Sequence, residues 1–125
     1  MSDGKTTVRQ LKTQMKAFVR ARGWEEFHAP KNITMSLAIE AAELMEHFQW
    51  LSVEESRAVK NDPMKMEHIK DEVADVMSYL LSLCNVLEID LSGAIKAKMV
   101  KNNKKYPPKQ ATTLIHRYTY SKRAR

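Results

Sequence analysis

The sequence predicts an all-α protein built as a four-helix bundle. Three glycines and four prolines among 125 residues leave few turn signals, which favours long helices over many short strands. Apolar residues recur at intervals of three and four along several long segments, the spacing of an amphipathic helix. Residues that commonly cap helices stand in front of these segments. The length and a hydrophobic content of 43% fit one globular domain.

The first helix is predicted to begin after Thr6 or Thr7, either of which can cap it. It is expected to run to about Arg22, because Gly23 is a common helix stop. Its apolar residues keep helical spacing and form one face: Val8, Leu11, Met15, Phe18 and Val19. A connection over residues 24–31 follows.

The second helix is predicted from about Asn32, which we expect to be its cap, to Gln49. The polar residues 50–61 after it are expected to hold one short turn of helix around residues 53–59.

Two further helices complete the predicted bundle. Asp62-Pro63 is typical of a cap followed by the first helical residue, so the third helix is expected to begin there and to end near Leu87. Asp90 can cap a fourth helix that runs to about Asn103.

Four amphipathic helices with short connections make a bundle by burying their apolar faces against one another. The residues expected in this core are Leu11, Phe18, Leu37, Ala41, Leu44, Phe48, Ile69, Val73, Val76, Leu80, Leu83 and Leu87. The eight methionines fit an adaptable core better than a special binding role.

Charge divides the chain into two parts. The formal charge is +6, from 21 basic and 15 acidic residues. Residues 101–125 hold eight of the basic residues and none of the acidic ones, so the first hundred residues are slightly acidic. Tyr106-Pro107-Pro108 is expected to end regular structure. We therefore predict a domain over residues 1–108 and a basic, mobile tail over residues 109–125.

Cysteine use and hydropathy bear on location. A single cysteine, Cys84, cannot form an internal disulfide, and a reducing compartment is its natural setting. The most apolar run, residues 76–87, contains two serines and an asparagine and is too short to span a bilayer. We expect a cytoplasmic protein without a membrane partner.

Two acidic pairs stand at the same spacing on successive long helices: Glu40 with Glu43, and Glu72 with Asp75. Residues three apart lie about 60° apart around a helix axis, so each pair projects from one narrow face beside the apolar stripe. If the apolar stripes pack together, the four carboxylates converge at the edge of the core. Converged anions need raised pKa values or bound cations, and all-oxygen ligands suit Mg²⁺.

Two other interpretations of these carboxylates are open. Glutamate pairs are ordinary on solvated helix faces, and one pair alone would favour that interpretation. A di-iron bundle would use Glu-x-x-His pairs, but His47 is four residues after Glu43 and Asp75 stands where a histidine is needed, so it ranks lower. Glu46 lies further from the core and is expected to face solvent or to support the ligands from outside.

Several motifs occur in order along residues 8–108. They are Trp24-Glu25-Glu26-Phe27-His28 with Pro30 and Asn32, Glu40-x-x-Glu43-Leu44 with Phe48-Gln49-Trp50, Glu72-x-x-Asp75-Val76 with Tyr79-Leu80, and Lys98-Met99 with Asn102 and Lys105-Tyr106-Pro107. Any one of these motifs is weak evidence by itself. The ordered set resembles the MazG-like all-α nucleoside triphosphate pyrophosphohydrolases, and most closely their dCTP pyrophosphatase branch.

The resemblance implies a reaction and a metal site. An NTP or dNTP, with dCTP or a related pyrimidine nucleotide preferred, is cut between its α- and β-phosphates to give a monophosphate and pyrophosphate. Mg²⁺ held by Glu40, Glu43, Glu72 and Asp75 would neutralise phosphate charge and activate water. Glu40 or Glu43 would orient or deprotonate that water, with Glu43 preferred. Such activity would remove unwanted nucleotides from the cellular pool.

The resemblance also implies which residues contact the nucleotide. Some of these residues would contact the base or sugar and others the phosphates or sugar. The full set is Trp24, Phe27, His28, Trp50, Tyr79, Lys98, Asn102, Lys105 and Tyr106. In this family the active site is completed across a subunit interface. The implied assembly is an interlocked dimer or a dimer of dimers, that is, a homodimer or homotetramer.

One position departs from the family pattern. The dCTP-specific animal enzymes carry a substrate-contacting histidine nine residues before the loop tryptophan, where this chain has Met15. A methionine cannot supply that polar contact, which puts strict cytosine preference in doubt but leaves the hydrolysis intact.

A different class of function is the alternative. The acidic stripes would then be structural, and the basic tail, with Tyr118 and Tyr120 among its basic residues, would dock nucleic acid or an acidic partner. Because the charge excess belongs to the tail alone, we expect the partner to be a nucleoside triphosphate rather than a nucleic-acid polymer.

Overall fold

The computed structural model describes residues 1–108, and within them every regular element is a helix. The elements are α1 (Val8–Ala21), a 3₁₀ turn (Glu25–Phe27), α2 (Pro30–Glu46), α3 (Val53–Ala58) with a 3₁₀ turn (Val59–Asn61), α4 (Pro63–Val86) and α5 (Leu91–Lys105). The all-α prediction is confirmed, and the four long helices are present together with the short helix expected near residues 53–59. The predicted tail over residues 109–125 lies outside the described residues.

Three of the predicted helix caps are confirmed. Thr7, rather than Thr6, caps α1 in a reciprocal arrangement with Gln10. Asp62 Oδ1 accepts hydrogen bonds from the backbone N–H groups of Met64 and Lys65 at 3.1 and 3.2 Å, and Asp90 caps α5. Each side-chain oxygen satisfies N–H groups that have no partner within the helix, which fixes where the helix begins.

The expected boundaries of α2 are wrong. The helix begins two residues before Asn32, at Pro30, because proline lacks the N–H that the first helical residue would leave unbonded. Asn32 lies inside the helix, and its side-chain amide donates to the Phe27 carbonyl at 3.2 Å. The helix ends at Glu46 rather than at the predicted Gln49, and residues 47–50 form turns.

The first of two compact units spans Met1–Ile89, and in it α1 and α2 both pack against α4. Its apolar core consists of Val19, Ile33, Val59, Ile69, Leu81 and Cys84. Of the residues predicted for the core, Ile69 is buried, and a second group is half-buried: Leu11, Leu37, Leu44, Phe48, Val76, Leu80 and Leu83. Phe18, Ala41, Val73 and Leu87 are exposed, because nothing in residues 1–108 covers the helix faces that carry them.

Hydrogen bonds fix the end of α4 against α1. The Asn85 amide donates to the Lys12 carbonyl, and the Lys12 ammonium donates to the Ile89 carbonyl, both at 2.8 Å. These two bonds join segments more than 70 residues apart in sequence. They hold the C-terminal half of α4 in place beside α1, where the cavity described below is formed.

The second unit begins at Asp90 and contains α5. Tyr106 ends this helix, as expected, and its N–H donates to the Asn102 carbonyl at 2.8 Å. In residues 1–108, no individual helix combines the length and apolarity needed to cross a membrane, although α4 and α5 taken as a bent pair meet the criteria of length and composition.

Candidate metal centre and nucleotide cavity

Three carboxylates meet where α2 packs against α4. Glu40 and Glu43 are one turn apart on α2, and Glu72 faces them from α4, with one carboxylate oxygen of each residue within 4.8 Å of the others. We call these three residues the acidic trio. Their convergence follows from the i, i+3 spacing beside the apolar stripes of both helices.

The acidic trio is electrostatically strained. Desolvation, a hydrogen bond with Glu43 and the negative charges of Glu43, Asp75 and Glu72 together raise the pKa of Glu40 from 4.5 to about 7. A second sign of strain in the acidic trio is at Glu72, whose Oε2 is buried and has no hydrogen-bond partner in the described structure. A buried carboxylate oxygen without a donor is costly, and both features are relieved if a cation binds.

Asp75, the fourth predicted ligand, stands beside the acidic trio. It lies one turn after Glu72 on α4 and is close enough for its charge to contribute to the raised pKa of Glu40. The structure thus brings three of the predicted ligands to a common point and the fourth to its edge. An all-oxygen, partly solvated set of this kind fits Mg²⁺, which binds few carboxylates and retains water ligands.

Two histidines border the acidic trio and were absent from the predicted site. His47 Nε2 lies 4.0 Å from Glu72 Oε1, and its ring is parallel to that of His68 at a centroid distance of 6.4 Å. The available signal was their spacing, since His47 is one turn after Glu43 and His68 is one turn before Glu72.

A cavity of about 440 Å³ extends from Asp75 between α1 and α4, and we call it the aromatic cavity. Its lining includes Phe18, Trp24, His28, Ser78, Tyr79 and Ser82. The rings of Trp24 and His28 are nearly parallel, at 11° and 6.5 Å between centroids, and Phe18 meets Trp24 edge-on at 5.9 Å.

His28 is held in this arrangement by its own loop. Its Nδ1 lies 3.0 Å from the Trp24 carbonyl oxygen, within hydrogen-bond distance, and the 3₁₀ turn (Glu25–Phe27) joins the two residues. A second cavity, of about 260 Å³, is lined by Phe27 as well as by Trp24, His28 and Tyr79. Four predicted nucleotide contacts therefore lie together around two cavities, one of which reaches Asp75.

Other predicted contacts lie elsewhere. Trp50 is 87% exposed in the turn after α2 and lines neither of these cavities. Lys98, Asn102, Lys105 and Tyr106 belong to the second unit, where Lys98 is exposed and the Lys105 ammonium lies 5.3 Å from the centre of the Tyr106 ring. Their roles stay predictions.

Met15 lines the aromatic cavity, as its family position implied. Val19, which the sequence places on the apolar face of α1, also lines it, together with two serines that no motif indicated, Ser78 and Ser82. The two serines stand three and seven residues after Asp75, so they share its helix face, and this periodicity was the signal that could have identified them.

The chain is similar to known proteins in both sequence and structure. The chain is 32% identical to human dCTP pyrophosphatase 1 over 90% of its own length and 66% of that protein, and 33% identical to the bovine protein over 81% and 60% respectively. It therefore spans less than two thirds of the length of these relatives. A crystal structure of a pyrophosphatase from Archaeoglobus fulgidus superimposes with a TM-score of 0.73 and 38% identity, covering 86% of this chain and 98% of that one. The MazG-like family model matches residues 35–119, so the chain belongs to the MazG-like family.

Proposed function

We propose that this protein is a Mg²⁺-dependent nucleoside triphosphate pyrophosphohydrolase that acts on dCTP or a related pyrimidine nucleotide and removes it from the cytoplasmic nucleotide pool. The products are a nucleoside monophosphate and pyrophosphate. The observation that carries the proposal is the buried, unpartnered Glu72 Oε2 inside the acidic trio, next to a cavity lined by aromatic rings. The activities named for the human, bovine and archaeal relatives support it.

Glu40, Glu43 and Glu72, with Asp75 beside them, are the residues that would hold the metal. When bound, Mg²⁺ neutralises the charge of the phosphate oxygens and lowers the pKa of a coordinated water. Glu43 is the exposed member of the acidic trio, whereas Glu40 and Glu72 are half-buried. A residue that orients a water molecule must reach solvent, which favours Glu43 for that role.

The raised pKa of Glu40 makes its role as a ligand depend on pH. At a pKa of about 7, Glu40 keeps its proton in mildly acidic solution when no cation is present. Cation binding must displace it. Glu40 is therefore a ligand whose availability depends on pH, while Glu43 remains accessible to water.

The aromatic cavity is suited to the nucleoside. Trp24 and His28 offer stacking surfaces, which hold bases by their π-faces, and Tyr79 lines both cavities one turn after Asp75. A triphosphate near Asp75 would place its base among these rings. The apolar surroundings exclude water from one side of the nucleotide.

We also propose a homodimer or homotetramer. Exposed large apolar side chains are numerous. On α2, Met35 and Ile39 lie one turn apart on the same face, and Met45 is exposed near the end of the helix, each at least 50% exposed. Six buried apolar side chains in residues 1–108 form a small core for a chain of this size. Apolar patches of this kind mark protein interfaces.

The proposal is tested with the four dNTPs and 5-methyl-dCTP, each incubated with and without Mg²⁺ and analysed by ion-exchange chromatography. We expect a monophosphate and pyrophosphate from a pyrimidine nucleotide only in the presence of Mg²⁺. Failure to produce these two products from any nucleotide would refute the proposal. The alternative, a binding module with a nucleic-acid-docking tail, concerns residues outside the described structure.

A further inference from the structure

We propose that Ser82 determines base specificity, by hydrogen bonding the substituent at C4 of a pyrimidine, and that its hydroxyl admits both the amino group of cytosine and the keto group of uracil or thymine. The inference rests on the proposed function, because it concerns how the same site recognises its nucleotide. It adds a residue that neither the motifs nor the family resemblance supplied, and a physical reason for accepting more than one pyrimidine.

Ser82 is unusual for a helix residue in a small core. It is the one polar side chain that is buried within residues 1–108, at 4% exposure. Buried hydroxyls nearly always have a hydrogen-bond partner. Ser82 lines the aromatic cavity and also a neighbouring cavity of about 280 Å³, so its position allows a ligand to provide that partner.

The spacing on α4 sets the direction of the nucleotide. Asp75, Ser78 and Ser82 lie on one helix face and all line the aromatic cavity. Seven residues of helix separate Asp75 from Ser82, which is about 10.5 Å along the axis. With the phosphates at the Asp75 end, the sugar and the base extend along the stacked rings of Trp24 and His28 towards Ser82. The edge of a pyrimidine furthest from the sugar carries the C4 substituent.

Within the lining of the aromatic cavity, Ser82 is the polar group furthest along α4 from Asp75, whereas Lys16, Arg20 and Glu25 line the neighbouring cavity. Asn85, one turn further along, donates its amide to the Lys12 carbonyl at 2.8 Å. Met15 and Val19 also line the cavity and offer only apolar or weakly polar surface. A hydroxyl both donates and accepts hydrogen bonds, so it cannot reject a keto group in favour of an amino group as a dedicated donor or acceptor would.

The test compares steady-state kinetics on dCTP, dUTP and the 2-pyrimidinone deoxynucleoside triphosphate, which lacks the C4 substituent. For the unsubstituted protein we expect kcat/KM on dCTP and dUTP to agree within about tenfold. Ser82→Ala should raise KM about tenfold on both, the typical value of one hydrogen bond, with kcat changed less than twofold and with the pyrimidinone nucleotide unaffected. A purely structural role would change all three substrates alike.

Ser56→Ala is the matched control, because its hydroxyl bonds the Val53 carbonyl within α3 at 2.6 Å and lines neither cavity; its kinetics should be unchanged. Alanine is favourable inside a helix, and circular dichroism will verify that both variants are folded. Strict preference for dCTP over dUTP, or a Ser82→Ala effect that is absent or equal on all three nucleotides, would overturn this inference alone. Absence of hydrolysis by the unsubstituted protein would overturn the proposed function, and the inference with it.

Discussion

One carboxylate oxygen of Glu72 gives the strongest indication of a metal site. Glu72 Oε2 is a buried carboxylate oxygen without a donor, and its neighbours in the acidic trio are carboxylates too. A fold stabilised only by its own contacts would place a donor or an apolar group at this point. A bound cation would offset the free-energy cost of burying this oxygen among other carboxylates.

Glu72→Gln should therefore separate metal binding from folding. The amide removes one negative charge and supplies a donor, so the metal-free variant should be as stable as the unsubstituted chain or more stable. Mg²⁺ should no longer raise its thermal midpoint, and turnover should fall by about 100-fold or more. Calorimetric titration with Mg²⁺ and thermal denaturation check both effects.

Glu67→Gln is the matched control, since Glu67 is an exposed residue on the same helix and outside the acidic trio. It should bind Mg²⁺ normally. Equal Mg²⁺ affinity in Glu72→Gln and Glu67→Gln would contradict the assignment of Glu72 as a ligand.

The raised pKa of Glu40 makes Mg²⁺ affinity depend on pH. Below about pH 7 Glu40 holds a proton that the cation must displace. The dissociation constant for Mg²⁺ should therefore increase by up to about tenfold for each pH unit below 7 and level off above it. Titrations at pH 6, 7 and 8 check this, and a dissociation constant that does not change with pH would count against it.

The same group has a predictable effect on stability without Mg²⁺. Its pKa is about 7 in the folded chain and 4.5 as the ordinary value, so the folded state binds the proton more tightly. The stabilisation is complete below pH 4.5 and is lost as the pH rises to about 7. The midpoint difference between Glu40→Gln and the unsubstituted chain should therefore grow over this interval, and a constant difference would show that the shift is absent.

At the scale of elements, caps and periodicity explain what could be predicted. Thr7, Asp62 and Asp90 were identifiable because their side chains satisfy local backbone groups, a property that depends on neighbours in sequence. The start of α2 was mispredicted because Pro30 begins a helix without a side-chain cap. The convergence of Glu40, Glu43 and Glu72 was predictable from helix spacing. Trp50 is 87% exposed and lines neither of the two cavities described above, so its family position alone does not bring it to the site.

The Asp62 cap offers a test at this scale. Asp62→Ala removes the acceptor for two N–H groups at the start of α4 and should lower the free energy of unfolding by about 1 kcal/mol. Urea denaturation measures this, with Asp71→Ala as the control because Asp71 is exposed on α4. Equal stability of the two variants would contradict the capping role.

For the whole molecule, exposed apolar surface explains why the core could be only partly predicted from the sequence. Periodicity identifies an apolar face but cannot say whether a helix of the same chain or of a partner covers it. Phe18, Val73 and Leu87 have core-like positions and yet are 42–50% exposed. Their exposure in the single chain is the physical reason that the predicted core exceeds the observed one.

Light scattering coupled to size exclusion should show a dimer or tetramer. Ile39→Asp, which places a charge on the exposed apolar face of α2, should shift the protein towards monomer. Val53→Asp is the control, since Val53 is similarly exposed, at 55%, on α3. A monomer for the unsubstituted chain, or equal dissociation in both variants, would contradict the proposed assembly.

The proposed function requires the acidic trio and the aromatic cavity to form one pyrophosphohydrolase site. Phosphorus NMR of dCTP incubated with the protein and Mg²⁺ tests it most directly, because the spectrum identifies which phosphate bond is cut. We predict that pyrophosphate and dCMP appear together in equal amounts. Release of inorganic phosphate with dCDP, or an unchanged spectrum for dCTP and the other pyrimidine nucleotides, would contradict the claim.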